Sequence, residues 1–238
     1  MTFASELFAG QTVVIPGGTS GIGAATALRF AGLGACVITC GLGASGGPHH
    51  VQIDNREVDV LRPGSLEGFF SNLDRIDVLV NCTGVSRDRQ EWRKDKFDEV
   101  IAINLTSVMD CCRLARDRMK SGSSIVNIAS MYSTFGAADR PGYSASKGAI
   151  VQLTKSLAQA YAATDIRVNA VAPGWIVTPL SRALFADEAV SAPILSRIPT
   201  GRWGEAGEVA DAIVFLASEA ARYVTGACLP VDGGYLTA

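Results

Sequence analysis

The stretch Pro16-Gly17-Gly18-Thr19-Ser20-Gly21-Ile22-Gly23 decides the fold of this 238-residue chain. It follows a short apolar run, residues 12–15, and leads at once into the helical pattern that begins Ala24-Ala25-Thr26-Ala27. Glycines at such a junction allow a tight turn, and the helix N-terminus offers unpaired N–H groups and about half a unit of positive charge. The glycines alone would also suit an ordinary turn, but their place at the first strand-to-helix junction favours a dinucleotide phosphate site.

The alternation of strand and helix continues along the chain. Apolar, β-branched runs predict strands at residues 12–15, 36–39, 78–80, 124–128, 167–171 and 227–230, and helical spacing predicts helices at residues 23–33, 97–120, 144–162 and 208–217. This order indicates parallel β–α–β units. We therefore expect an α/β fold in which residues 1–238 form a single domain, a Rossmann-like, doubly wound parallel sheet with helices on both faces.

Two segments interrupt this rhythm. Residues 41–48 contain four glycines and a proline where a second crossover helix would be expected, so we predict that this helix is missing or vestigial. Residues 173–204 contain four prolines around an apolar stretch at residues 180–184. This pattern predicts a loop-and-helix excursion, about residues 175–204, that covers the substrate.

Composition excludes several classes of protein. The chain is 48% hydrophobic and carries a net charge of −2, and its scattered Lys and Arg form no basic stripe for a nucleic acid. Its six cysteines contain no C-x-x-C pair, so we expect reduced thiols and no metal site. The N-terminus lacks the pattern of a secretory signal, and no run approaches the roughly 18 apolar residues of a membrane span. A cytoplasmic protein without a membrane or nucleic-acid partner is expected.

Tyr143 and Lys147 stand four residues apart at the start of a predicted helix, so both project from one helical face. A free tyrosine has a pKa near 10, and proton abstraction near pH 7 requires this pKa to fall by about 3, or about 4 kcal/mol of phenolate stabilisation. A neighbouring ammonium can supply part of this stabilisation. The spacing alone would also suit an exposed helix pair. Ser130, however, closes a buried strand thirteen residues before Tyr143, where sites of α/β sheets assemble.

These motifs together resemble the short-chain dehydrogenase/reductase family. The glycine stretch is similar to the family's T-G-x-x-x-G-x-G, with Pro16 in place of the usual Thr, which removes a hydroxyl and a backbone donor. Asn81-Cys82-Thr83-Gly84 resembles its N-N-A-G, kept only at Asn81 and Gly84. Further matches are Asp59-Val60, the segment Pro173-Gly174-Trp175-Ile176-Val177-Thr178, and the motifs Tyr223-Val224-Thr225-Gly226 and Val231-Asp232-Gly233-Gly234.

The resemblance implies an oxidoreductase that moves a hydride reversibly between NAD or NADP and a secondary alcohol or ketone. Tyr143 would move the proton, Ser130 would bind the reacting oxygen, and Lys147 would also hold the nicotinamide ribose. Asn104, otherwise a helix-interior asparagine in need of a partner, would anchor a water that relays protons. The same resemblance places the cofactor against Gly17, Thr19, Ser20, Gly21, Ile22, Gly23, Asp59, Val60, Asn81, Gly84, Tyr143, Lys147, Pro173, Gly174, Ile176 and Thr178.

The choice between NAD and NADP depends on the end of the second strand. Relatives that use NAD carry an acidic residue near Gly41, and relatives that use NADP often carry Arg at the next position, which is Leu42 here. Without a cationic group for a 2′-phosphate we expect NAD. NADP is the alternative if His49, His50 or Arg56 turns in.

Expected substrate contacts flank the catalytic residues or lie in the excursion. They are Ser130, Met131, Tyr132, Trp175 and Leu180, with Phe135, Leu184 and Phe185 beside them. Their character suggests a small to medium, partly apolar alcohol or ketone. Arg140 is either a contact for a substrate carboxylate or a solvated loop residue.

Assembly and two other functions complete the expectations. Family members usually pack the helices predicted here at residues 97–120 and 144–162 against symmetry mates, which implies a homotetramer or homodimer. One alternative function is a catalytically silent, NAD(P)-sensing regulator, which loss of a catalytic residue would signal, but all four are present. The other is a lyase or epimerase, whose relatives have longer substrate regions.

Overall fold

A parallel sheet of seven strands forms the centre of the computed structural model, which describes residues 3–185 and 187–238. Its strands are β1 (Thr12–Pro16), β2 (Cys36–Gly41), β3 (Ile53–Glu57), β4 (Ile76–Asn81), β5 (Met119–Ile128), β6 (Arg167–Pro173) and β9 (Cys228–Val231). Across the sheet they lie in the order β3-β2-β1-β4-β5-β6-β9. The chain builds one side of the sheet outward from β1 to β3 and the other side outward from β4, so the strand order reverses between β1 and β4 although these strands are parallel. The predicted doubly wound parallel sheet is confirmed, and ligands of such sheets bind beyond the carboxyl ends of the strands at this reversal.

Helices cover both faces of the sheet and bury one apolar layer on each. The helices that follow the strands of this sheet are α1 (Gly21–Ala31), α2 (Ser65–Ser71), α3 (Lys94–Ile101), α4 (Ser107–Arg116), α5 (Pro141–Tyr161) and α8 (Ala206–Ala217). Phe30 of α1 and Ile213 of α8 pack on one face, and Phe70 of α2, Cys112 of α4 and Ile150 of α5 pack on the other. Within the described ranges, no helix has both the length and the apolar character needed to cross a lipid bilayer.

The turn between β1 and α1 is held together by close backbone contacts. Gly17 has a φ of +77°, and a Cβ on Gly23 would collide with the carbonyl oxygen of Gly17. Pro16 lacks an N–H, but its carbonyl accepts from Cys82 N (2.8 Å), and Gly17 N donates to Cys40 O (2.7 Å). The strands on either side therefore hold the turn that the family's Thr would otherwise support.

The predicted helix at residues 97–120 is wrong in extent. The segment starts earlier as α3, passes through a π-helical turn at Ala102–Thr106, and ends with α4 at Arg116. Met119 and Lys120 belong to β5 instead, where Met119 pairs with Ile76. The backbone stays helical through the π turn, and Ala115 and Met119 keep an i, i+4 apolar spacing, so periodicity alone extends one helix past its true end.

Strand β3 and helix α2 were not predicted from the sequence. Strand β3 reads Ile-Asp-Asn-Arg-Glu and lies at the edge of the sheet, so its polar residues reach solvent and show no apolar run. Helix α2 is only seven residues long. Residues 41–48 contain just a 3₁₀ turn at Ala44–Gly46, as the glycine content predicts.

The excursion after β6 contains short elements. They are β7 (Ile176–Val177), α6 (Arg182–Phe185), α7 (Glu188–Ser196) and β8 (Gly204–Glu205). Strands β7 and β8 pair in parallel, which closes the excursion at its base. Helix α5 begins at Pro141, three residues before the predicted start, because a proline at the first helical position has no N–H to leave unpaired.

Substituting Gly23 with alanine tests the packing of the glycine turn. The added methyl group meets Gly17 and the Cα of Gly18, so we expect a loss of about 1–3 kcal/mol in the free energy of unfolding. Gly68 is the matched control, because it is exposed within α2 and an added methyl group there would have no neighbour within 4 Å. Alanine at this position should stabilise by about 0.5–1 kcal/mol. Urea denaturation measures both, and equal stability of Gly23→Ala and the parent would contradict this packing.

Candidate active site

The four predicted catalytic residues converge at the carboxyl end of β5. Ser130 follows this strand and caps a 3₁₀ turn, with its Oγ accepting from Tyr132 N (3.2 Å). Tyr143 and Lys147 lie in the first two turns of α5, and Lys147 Nζ is 5.6 Å from the centre of the Tyr143 ring. Ser130 and Tyr143 line the same cavity. The proximity inferred from the Y-x-x-x-K spacing and the strand end is present in the fold.

Burial governs the protonation of both titrating groups. It raises the pKa of Tyr143 above its usual 10, against the opposing effects of Ser130 and the Arg140 charge. It also lowers the pKa of Lys147 to about 8, so this side chain is an ammonium ion at pH 7. The expectation that the ammonium lowers the pKa of Tyr143 is therefore incomplete. In the folded chain the cost of burying the phenolate outweighs the effect of Ser130 and Arg140, the groups that lower this pKa.

Lys147 and Asn104 are held by backbone groups. Lys147 is 3% exposed, and its Nζ donates to Ile128 O (2.7 Å). Asn104 lies in the π-helical turn, where its Oδ1 accepts from Val85 N (2.8 Å) and its Nδ2 donates to Val85 O (2.9 Å) and Ser146 Oγ (3.1 Å). The partner that a buried asparagine requires is thus the backbone of Val85, one residue beyond the second sequence motif.

A groove of about 470 Å³ runs from the glycine turn to the catalytic residues. Of the residues predicted at the cofactor it is lined by Gly17, Thr19, Ser20, Gly21, Ile22, Gly23, Asp59, Val60, Gly84, Tyr143, Lys147 and Thr178. Pro173, Gly174 and Ile176 line the adjoining cavity, which shares Ile22, Tyr143 and Thr178 with the groove. The groove therefore joins the strand ends to the catalytic side chains without interruption.

The side chain of Asn81 does not reach this groove, contrary to the prediction. It is buried and donates from Nδ2 to Asn127 Oδ1 (2.8 Å) and Cys112 Sγ (3.3 Å). Its partners lie on β5 and α4, whereas its buried Oδ1 has no hydrogen-bond partner among the described residues. Asn81 therefore joins β4 to β5 instead of facing a ligand.

The groove has the features that a dinucleotide phosphate requires. In the described part of the chain, α1 has no acidic residue in its first turn and Ser20 makes no capping bond from its side chain, so the helix N-terminus is open to an anion. Among the described residues, the Thr83 hydroxyl that borders the groove is buried without a hydrogen-bond partner. These groups fit an NAD or NADP molecule held by Gly17 to Gly23.

A second cavity, of about 150 Å³, adjoins Tyr143 on the substrate side. Of the predicted substrate contacts it is lined by Ser130, Met131, Tyr132, Trp175, Leu180 and Leu184. Phe135 instead packs against Tyr132 and Tyr235, and Phe185 packs against Trp203 with ring centres 4.5 Å apart. These two phenylalanines lie behind the cavity wall: Phe135 packs on Tyr132, and Phe185 packs on Trp203, which in turn contacts Trp175.

Polar residues at the rim of this cavity were not all found from sequence. Arg140 is not a solvated loop residue: its side chain is 17% exposed and pairs with Asp139 (2.7 Å) and Asp88 (3.2 Å). Ser86 and Asp88 also line the cavity, and Asp88 adopts a φ of +46°. A polar run such as residues 86–96 gives no sign in sequence of which side chains turn inward.

The comparison with known proteins agrees with this geometry. A family model described as enoyl-(acyl carrier protein) reductase matches residues 17–236, nearly the whole chain. The chain belongs to the short-chain dehydrogenase/reductase family. It is 37% identical to the 2-dehydro-3-deoxy-D-gluconate 5-dehydrogenase of Bacillus subtilis, over 96% of this chain and 95% of that protein. It is 38% identical to the glucose 1-dehydrogenase of Gluconobacter oxydans, over 96% and 93%.

Solved structures of short-chain dehydrogenases/reductases extend the likeness to the cofactor. A protein from Agrobacterium tumefaciens with bound NADP superimposes with a TM-score of 0.89 at 35% identity, covering 99% of this chain and all of that one. The protein is therefore an NAD(P)-dependent oxidoreductase that acts on CH–OH or C=O groups, as the motifs predict. The fold, the enzyme class and the cofactor class are confirmed.

Proposed function

We propose that this enzyme oxidises a secondary alcohol of a small, hydroxylated molecule, or reduces the matching ketone, with Tyr143 as the general acid and base. One observation carries the proposal: Ser130, Tyr143 and Lys147 meet at the boundary between the cofactor groove and the substrate cavity. Tyr143 borders both spaces, so a proton at its hydroxyl can reach a substrate oxygen beside the nicotinamide site. This is the geometry that general acid–base catalysis requires.

Each residue has a task in this reaction. When bound, the oxidised dinucleotide would supply the hydride acceptor, nicotinamide C4, and a positive charge. Ser130 holds the substrate oxygen, and Tyr143 takes its proton as the alcohol is oxidised. The Lys147 ammonium favours the phenolate, because it lies against the Tyr143 ring in a buried site. Asn104 Oδ1 accepts one bond from Val85 and retains a lone pair for the water that relays the proton.

The substrate cavity favours a neutral hydroxylated ring. Tyr132 and Trp175, with ring centres 6.2 Å apart, supply an aromatic wall. At the rim, Arg140 stands between Asp139 and Asp88, so this cluster carries one net negative charge. A substrate carboxylate would gain little there, whereas hydroxyl groups can accept from the guanidinium and donate to Asp88. This net charge favours a neutral sugar over a sugar acid as the substrate.

We further propose that NAD is preferred to NADP. Leu42 and the loop after β2 occupy the place that the family uses for the adenosine ribose, and Leu42 lines the groove. The backbone N–H groups of Gly43 and Ala44, which could bind a phosphate, instead donate to the Glu57 carboxylate at 3.1 and 2.8 Å. Arg56 is paired with Asp54 (2.8 Å). A 2′-phosphate would therefore meet a carboxylate in place of free donors.

Four expectations stay predictions: the single domain, the cytoplasmic location, the absence of nucleic-acid and membrane partners, and the homotetramer or homodimer. Residues of α4 and α5 would form the subunit contact. The exposed Met109 on α4 is consistent with such a contact.

Replacing Tyr143 with phenylalanine should lower kcat by about 10²- to 10⁴-fold, because the proton-transfer group is removed while the ring remains. The dissociation constant for the cofactor should not change. Turnover is followed by the absorbance of reduced cofactor with neutral sugars, cyclic secondary alcohols and sugar acids. Tyr161→Phe, at the far end of α5, is the matched control and should retain activity. Near-normal turnover by Tyr143→Phe would refute the assignment. Cofactor binding by the parent protein without turnover of any compound in the panel would favour the sensing regulator.

Asp88→Asn should raise kcat/KM for gluconate relative to glucose by about fivefold, since it removes one rim charge in a solvent-screened site. The parent enzyme should favour the neutral sugar. Asp95→Asn, an exposed carboxylate on α3, is the control. A parent that prefers the acid, with a ratio insensitive to Asp88, would contradict the charge argument.

The cofactor preference is tested by kcat/KM with NAD and with NADP, together with their dissociation constants from fluorescence titration. We expect NAD to be favoured by about tenfold or more, and Glu57→Gln to narrow this ratio by weakening the repulsion of a 2′-phosphate. Glu67→Gln, an exposed carboxylate on α2, is the control. A parent that prefers NADP would show the proposal to be wrong.

A further inference from the structure

Glu91 is a buried carboxylate that the reaction as described does not use. It lies in a 3₁₀ helix, Asp88–Trp92, and is 1% exposed. Most carboxylates remain at the surface, and one that is fully buried must be compensated by charge or hydrogen bonds. The surroundings of Glu91 therefore indicate what it does.

Three donors from two separate segments bind this carboxylate. Oε2 accepts from Tyr143 N (2.7 Å), across 52 residues of sequence. Oε1 accepts from Arg87 N (2.8 Å) and Ser86 Oγ (3.1 Å). Tyr143 is the third residue of α5, where backbone N–H groups have no partner within the helix, so Glu91 caps the catalytic helix. Its negative charge is also favourable at a helix N-terminus.

The same carboxylate fixes one wall of the substrate cavity. Ser86 and Asp88 line that cavity together with Tyr143, and Glu91 is bonded to the chain on either side. The fit is close, since a methyl group on Gly142 would lie 3.3 Å from Oε2. The segment of residues 86–91 and the first turn of α5 thus form one unit with the carboxylate at its centre.

We infer that Glu91 is a positioning residue that locks Tyr143 to the Ser86–Asp88 wall of the substrate cavity and keeps a negative charge at the start of the helix that carries the phenol. The inference rests on the proposed role of Tyr143. It adds a second requirement to catalysis: the Tyr143 phenol must be held at a fixed position relative to the Ser86–Asp88 wall of the substrate cavity.

The charge has a consequence that a purely structural residue would lack. Within the described part of the chain, the charged or titratable groups around Tyr143 include Glu91, Tyr132, Arg140 and Lys147, and Asp88 lines the same cavity. Burial is the main cause of the raised pKa of Tyr143, and the Glu91 carboxylate raises it further while Arg140 lowers it. Removing the Glu91 charge favours the phenolate and lowers this pKa. In the oxidation direction the basic form then persists to lower pH.

Two substitutions separate position from charge. Glu91→Gln removes the charge and one acceptor, so we expect kcat for the best alcohol of the panel to fall about tenfold, with the acid limb of its pH profile shifted to lower pH. Glu91→Asp keeps the charge but shortens the side chain by one methylene group, so kcat should fall while the acid limb of its pH profile stays at the same pH. Asp98→Asn, exposed on α3, should change neither. Circular dichroism and cofactor titration verify that each variant is folded and binds the dinucleotide.

A second readout needs no substrate. The phenolate of Tyr143 is titrated by ultraviolet absorbance, as the difference between each protein and its Tyr143→Phe counterpart, and Glu91→Gln should titrate at lower pH than the parent. A folded Glu91→Gln with parental kcat or an unmoved titration would overturn the inference. If Tyr143→Phe itself retains turnover, the proposed function fails instead, and the two failures are thereby distinguished.

Discussion

The attachment of α5 to the end of β5 is the constraint on which the active site depends. Lys147 Nζ donates to Ile128 O (2.7 Å), and Ser133 Oγ donates to Lys147 O (2.7 Å). Ser133 also accepts from Ser130 N (3.2 Å). These bonds join the strand, the turn after it and the helix into one body. Tyr143, one turn before Lys147, can therefore move only if this body moves.

The attachment has an energetic cost that is concentrated in Lys147. Its pKa falls from 10.5 to about 8 because the ammonium is buried, which corresponds to about 3 kcal/mol of destabilisation of the charged form. Since the folded-state pKa is the lower one, this cost is present below pH 8 and disappears as the pH rises towards 10.5. At pH 7 the fold holds a charge at the expense of stability, as active sites commonly do.

Prediction from the sequence succeeded where a residue type is dictated by local backbone or by chemistry. The glycines of residues 17–23 are required because methyl groups at Gly17 and Gly23 would collide with backbone, and Tyr143 and Lys147 share a face because α5 is a helix. It failed where a partner lies far along the chain. Nothing local shows that Glu91 accepts from Tyr143 N, 52 residues away, or that Asn81 bonds Asn127 instead of facing the groove. The edge strand β3 was missed because its residues are mostly polar, and only its pairing with β2 makes it a strand.

The positions that depart from the family pattern lie where the backbone, and not the side chain, carries the structure. Pro16 contributes its carbonyl to Cys82 N, a bond that any residue could make. Cys82 contributes to this bond only through its backbone N–H. A methyl group on Gly17 would collide with the backbone of Cys82 and Thr83. Near Tyr143 the bonds come from side chains of fixed type, so substitution is not tolerated in the same way. The sequence around the glycine turn can therefore vary more than the sequence around Tyr143. Cofactor preference can then change without altering the residues that transfer the proton.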